Sequence, residues 1–225
     1  MRHRVPAAAV LVVLLAAGCS PSHSSHAGGQ GPAAPPASVA AGTLAVGPGP
    51  QASYTVQPQP APGSCHYRHT ADGQPLPDPA CTPGATSPAV TQANLKDTIC
   101  RPGGYTSGIR PPVSVTNREK TENARSYGYT GAMGDAEYDH LISLQLGGDP
   151  DDARNLWVEP PSPGHVAGKG PNNPKDAVES ALHSAVCKSQ VQLAAAQQAI
   201  ANDWTTALAR LGVKAGGGGD SSDGA

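Results

Sequence analysis

The sequence predicts an α+β protein. It reads as a mainly helical domain around a strand–loop–strand–helix (ββα) hairpin, stapled by disulfides, with a disordered tether before it and a disordered tail after it. Three observations point there. Residues 138–146 and 155–158 favour extended chain on either side of Gly147-Gly148-Asp149-Pro150, which carries turn chemistry. Helical stripes surround this segment in the sequence, the longest being Leu193, Ala196, Ile200, Trp204, Leu208 and Leu211. Cysteines Cys65, Cys81, Cys100 and Cys187 form an even set within the patterned region.

Residues 1–18 have the form of a signal peptide. Arg2, His3 and Arg4 make a positive start, and the apolar run from Val5 to Ala17 is too short to span a membrane. The run ends Ala16-Ala17-Gly18-Cys19, which resembles a bacterial lipobox with Ala16 where leucine is usual. That resemblance implies lipidation of Cys19 and anchoring on the outer face of a cell membrane; simple secretion is the alternative. Five cysteines would leave one unpaired in an exported chain, and lipidation of Cys19 leaves four. Three pairings of the four are possible, and Cys65–Cys81 with Cys100–Cys187 is the preferred one. A zinc site is the rival reading, but no CxxC pair occurs.

Residues 20–64 contain no Lys, Arg, Asp or Glu and no useful periodicity. Residues 19–64 are therefore expected to be a lipidated cysteine and a flexible tether, with a reach on the order of 35–40 Å. Residues 214–225 are expected to be a disordered tail. The domain proper is expected over 65–213. The 27 glycines, 24 prolines and absence of phenylalanine argue against a core that includes the whole chain.

Within the domain, Val90 to Cys100 reads as a short helix capped by Thr91, with Val90 and Leu95 as a staple. Thr116-Asn117-Arg118-Glu119 has the form of a capping box that starts a helix running to about Tyr127. Asn173-Pro174 is an N-cap followed by proline at the first helical position. The helix it opens carries Val178, Leu182 and Val186 on one face, and the last helix follows with Trp204 as a core anchor.

The chemistry lies in Glu137-Tyr138-Asp139-His140 and in Arg154-Asn155-Leu156-Trp157. On a strand, Asp139 and His140 face opposite sides, so one can hold a divalent cation while the other activates a water. Asn155 lies across the hairpin, where its amide can brace the His140 strand. This is the outline of a phosphodiester-cleaving site.

The Asp-His pair, Gly-Gly seven and eight residues after the His, and Asn-Leu fifteen after it resemble HNH endonucleases of the ββα-metal class. More narrowly the chain resembles small secreted HNH-like bacterial proteins over about 65–210, including Leu76-Pro77-Asp78-Pro79, Arg110-Pro111-Pro112 and Asn173-Pro174-Lys175-Asp176 with Glu179. The resemblance implies Asp139 as a metal ligand, His140 as general base and Asn155 as the orienting residue. The implied metal is Mg²⁺, with Mn²⁺ or Zn²⁺ as alternatives. For a further ligand, Glu179 and Asp176 rank above His165, and His183 comes last. Ser143 stands where these proteins often have proline, and no zinc knuckle is present.

The implied partner is nucleic acid, bound without sequence preference. Residues 64–213 carry net charge −3, but residues 96–125 carry +3 and include Arg110, Arg118 and Lys120. Arg118 and Arg154 are candidate phosphate contacts, Arg154 having Asp151 and Asp152 as rival partners. Two function classes result: an exported, lipid-anchored, metal-dependent nuclease, or a catalytically inactive envelope lipoprotein that uses the scaffold as a binding module. A pure spacer would explain the tether and leave the hairpin unexplained.

Overall fold

The structure, a computed structural model, describes residues 43–215. The signal segment, Cys19 and residues 216–225 lie outside the described residues. Among those described, ten strands and α-helices follow in order, besides three short 3₁₀ turns: β1 (Ala45–Val46), β2 (Arg68–His69), β3 (Pro75–Leu76), β4 (Ala85–Thr86), α1 (Val113–Ser126), β5 (Glu137–His140), β6 (Leu156–Glu159), α2 (Lys175–Cys187), α3 (Leu193–Asp203) and α4 (Ala207–Arg210). The class is α+β, with helices outweighing three two-stranded sheets. No helix among the described residues is long and apolar enough to cross a membrane.

Strands β5 and β6 pair antiparallel, with Asp139 opposite Trp157 and His140 opposite Leu156. All four residues of β6 are buried. The chain leaves β5 so that Leu141 enters a cluster with Cys65, Tyr127 and Trp157, while Ile142 enters the main core. That main core is formed by Leu182, Val186, Leu193, Ala196, Ile200, Trp204 and Ala207 of the C-terminal helical region, closed by Leu76, Val90, Leu95 and Leu146. Two neighbouring residues thus pin the hairpin to two separate apolar clusters. Trp204 is the anchor expected of it, and its indole N–H donates to the Pro75 carbonyl at 2.9 Å.

Both disulfides form as preferred. Cys65–Cys81 has a Cα separation of 5.9 Å and Cys100–Cys187 one of 5.5 Å. The first holds the β2–β3 region beside Tyr127 and Trp157, where Tyr67 stacks on Tyr127 at 4.6 Å between ring centroids. The second ties the end of α2 to the segment after Leu95. Two such bonds fit an oxidising compartment outside the cytoplasm.

Several expected boundaries change. The tether does not run free to residue 64. Ala45 and Val46 pair with Ala85 and Thr86, Gln57 N–H donates to Glu119 Oε1 at 2.7 Å, and the Ser126 hydroxyl donates to the Pro60 carbonyl. Residues 43–64 form a strap laid on the domain through backbone hydrogen bonds, which leave no side-chain period to read. The helix expected over Val90 to Cys100 is only a 3₁₀ turn at Leu95–Asp97. There the Asn94 side chain binds the Thr91 N–H and the Ala89 carbonyl, drawing the backbone into turns. Helix α1 begins at Val113, right after Pro112, so Thr116 lies inside it. Glu119 faces the strap and does not close a capping box. The final stripe divides into α3 and α4, because Asp203 Oδ1 accepts the Thr205 N–H and hydroxyl.

Candidate active site

All four residues of β5 line a cavity of about 740 Å³. Arg110, Thr116, Asn117 and Lys120 line it too, as do Asp176 and Glu179 of α2 and Ser143. Cationic and acidic side chains therefore share one lining.

Asp139 and His140 both line this one cavity, so the opposite facing expected of neighbours on a strand does not take them to different sites. His140 is 8 % exposed, and its Nε2 lies 3.0 Å from the Pro150 carbonyl, so Nε2 carries the proton and donates. Nδ1 is then the nitrogen with the lone pair, as a general base requires. Burial lowers the imidazole to about 4, so it is neutral across the physiological range.

Asn155 braces the hairpin through both ends of its amide. Its Nδ2 donates to the carbonyls of Ile142 and Asp149, each at 3.0 Å, and Oδ1 accepts the Ile142 N–H at 3.0 Å. The side chain is fully buried. Gly147 has a left-handed φ of 72°. At Gly148 a Cβ would lie 1.7 Å from the Ile142 carbonyl oxygen, so only glycine lets the turn close against Asn155.

Asp139 meets a partner that sequence reasoning missed. Lys175, the first residue of α2, is wholly buried, and its ammonium lies 2.6 Å from Asp139 Oδ2. The same ammonium donates to the His140 carbonyl at 2.9 Å and to Glu179 Oε1, one helical turn along α2. Asn173 Oδ1 accepts the Lys175 N–H at 3.0 Å and starts the helix there, close to the cap expected. Burial alone would depress the lysine. The carboxylates of Asp139, Glu179 and Glu159 outweigh it and hold the amine charged, well above the ordinary value. Burial pushes Glu159 and Glu179 upward, with the Lys175 charge opposing it. Burial also raises Glu137, to about 7. The signal for Lys175 was present: lysine and glutamate at i and i+4 beside a strand carboxylate.

The other expected site residues fall as follows. Asp176 lines the cavity with Asp139 and Glu179. His165 lies elsewhere, its Nε2 3.2 Å from Asp135 Oδ2, and does not line the cavity. His183 donates to the Ile99 carbonyl at 2.8 Å, as a satisfied histidine near the core does. Arg118 is exposed on α1 and is not part of the lining. Arg154 pairs with Asp152 at 2.5 Å and is likewise absent from the lining; Arg110 and Lys120 are the cations that reach the cavity.

Carboxylate oxygens suit a hard divalent ion. Among the described residues, however, no three carboxylate, imidazole or thiol groups converge within 4.8 Å at Asp139; the one such group is Cys100, His183 and Cys187. That trio lies close enough to hold a metal ion, but its sulfurs are joined in the disulfide. At Asp139 and Glu179 the facing oxygens are already engaged by the Lys175 ammonium. As packed, this donor set does not fit a divalent ion between them. No family model, curated protein or solved structure matches the chain.

Proposed function

We propose that the chain is an exported hydrolase of phosphodiester bonds in DNA or RNA, anchored through lipid at Cys19, with His140 as general base. The observation that carries this reading is the contact of His140, a cavity-lining residue, with the Pro150 carbonyl. It sets the tautomer and leaves Nδ1 to take a proton from an attacking water. Attack forms a bond from that water oxygen to phosphorus, and the P–O bond to the leaving nucleoside oxygen breaks. Arg110 and Lys120 are among the lining residues and would put positive charge near the phosphate, Lys120 while donating to the Met133 and Ala136 carbonyls. Asn155 keeps the strand and turn in register through its three 3.0 Å bonds. The reaction step is carried by the chain's own residues, since the donor set between Asp139 and Glu179 is engaged by lysine.

The test uses the mature chain from Cys19, incubated with plasmid DNA and with single-stranded RNA. Cleavage is expected, and His140→Ala should lower it about 10²- to 10⁴-fold with the circular-dichroism spectrum unchanged. Cleavage undiminished in His140→Ala would sink the mechanism. For the anchor, Cys19→Ser should release the protein into the medium.

A second reading is an inactive envelope module that binds a ligand in the same cavity. It is favoured by the internal neutralisation of Asp139 and Glu179 and by the net charge of −3 over residues 64–213. It predicts no cleavage of either nucleic acid.

A further inference from the structure

We propose that Lys175 is the resident cation of this site: its ammonium stands where a divalent ion was expected between Asp139 and Glu179, and it positions His140 from beneath. Three contacts carry this. The ammonium has three N–H donors, and three acceptors meet it: Asp139 Oδ2, Glu179 Oε1 and the backbone carbonyl of His140. The side chain is 0 % exposed and is not among the cavity-lining residues, so it lies behind the lining and does not touch a substrate. Its place at the start of α2 is unfavourable to a positive charge, because the helix dipole is positive there. A buried cation at that end is held by the acidic groups around it. The third of these is Glu159, 2 % exposed, which acts on the ammonium through its charge and makes no hydrogen bond to it.

Two consequences distinguish this arrangement from a metal site. The positive charge is covalently attached, so chelators cannot remove it. It also grips the His140 carbonyl directly, so one side chain neutralises Asp139 and fixes the backbone of the base. Lys175 is a positioning residue, because it acts through Asp139 and His140.

This inference deepens the hydrolase reading, but its test does not depend on activity. Mn²⁺ is titrated into the full mature chain and followed by electron paramagnetic resonance, with thermal unfolding measured in parallel with and without EDTA. The wild type should show no saturable Mn²⁺ site and no EDTA-dependent shift. Lys175→Met removes the ammonium and leaves Asp139, Glu159 and Glu179 without their counter-charge. It should gain one saturable Mn²⁺ site, lost again in Lys175→Met/Glu179→Gln. Saturable Mn²⁺ binding by the wild type that disappears in Asp139→Asn would overturn the proposal, and so would a folded Lys175→Met that binds no Mn²⁺. If Lys175→Met does not fold, the wild-type titration and its Asp139→Asn control decide the matter. Failure of the wild type to cut any nucleic acid would count against the hydrolase reading alone. Cleavage that EDTA leaves unchanged would support both.

Discussion

The His140 ring donates from Nε2 to the carbonyl of Pro150, 3.0 Å away and ten residues along the chain. The base is thus oriented by the turn of its own hairpin. Replacing His140 with alanine removes the proton acceptor and leaves the hairpin's other bonds in place. Cleavage of plasmid DNA by His140→Ala should fall about 10²- to 10⁴-fold. Its unfolding midpoint in urea should move only modestly, since the loss of one buried hydrogen-bond donor costs about 1–3 kcal/mol.

Asn155 satisfies two carbonyls and one N–H inside the hairpin. Asn155→Ala leaves all three buried groups without partners. The expected cost is at least about 3 kcal/mol, each orphaned group contributing about 1–3. Equilibrium denaturation measures this, and a loss under about 1 kcal/mol would show that the turn closes without the amide.

Ser143 has φ −60° and ψ 156°, and its buried hydroxyl has no hydrogen-bond partner. A proline adopts that φ and removes the stranded hydroxyl. Ser143→Pro should therefore raise stability by about 0.4–1 kcal/mol through the unfolded state. A lowered melting temperature would mean that Ile142 cannot take up the conformation a following proline demands.

Stability should depend on pH in an unusual sense. Burial raises Glu119 from 4.5 to about 7 and Asp151 from 3.8 to about 6. Groups raised in this way contribute stability that is complete below the unfolded values and is lost as pH rises through the folded ones. His140 acts oppositely: lowered from 6.5 to about 4, it costs stability as pH falls across that interval. The raised carboxyl groups, Glu137 included, outnumber the one imidazole. The melting temperature should accordingly be higher near pH 5 than near pH 8. Glu119→Gln should flatten the profile between them, and an unchanged slope would remove Glu119 as its source.

Opening the Cys100–Cys187 bond, which spans 87 residues, frees a long loop in the unfolded chain. The paired Cys100→Ser/Cys187→Ser variant should lose about 3–5 kcal/mol, read from urea denaturation. The Cys65–Cys81 bond spans 16 residues, and its removal should cost less.

What the sequence disclosed depended on the kind of contact involved. The cysteine pairs and the core role of Trp204 were legible, because an even cysteine set and a helical stripe are patterns of side-chain type. Asp139, Asp176 and Glu179, grouped in the sequence only through the family resemblance, line one cavity. The strap over residues 43–64 was not, because it is held by groups such as the Gln57 N–H and the Pro60 carbonyl, which every residue carries. The lysine between the carboxylates was overlooked for a different reason: an i, i+4 Lys–Glu pair on a helix is usually a solvated surface pair, and only burial makes it something else.

The strap has a mechanical meaning. The Gly49 N–H donates to Asp149 Oδ2, and Asp149 precedes the very residue, Pro150, whose carbonyl holds His140. One path from the N-terminal segment to the imidazole therefore runs through this aspartate. Traction on the chain before residue 49 meets the main core at Leu44 and the β1–β4 pairing, and it reaches the hairpin turn through Asp149. A fragment cut at residue 60 would retain both disulfides and every residue of the cavity lining, yet it would lack the strand that loads that turn.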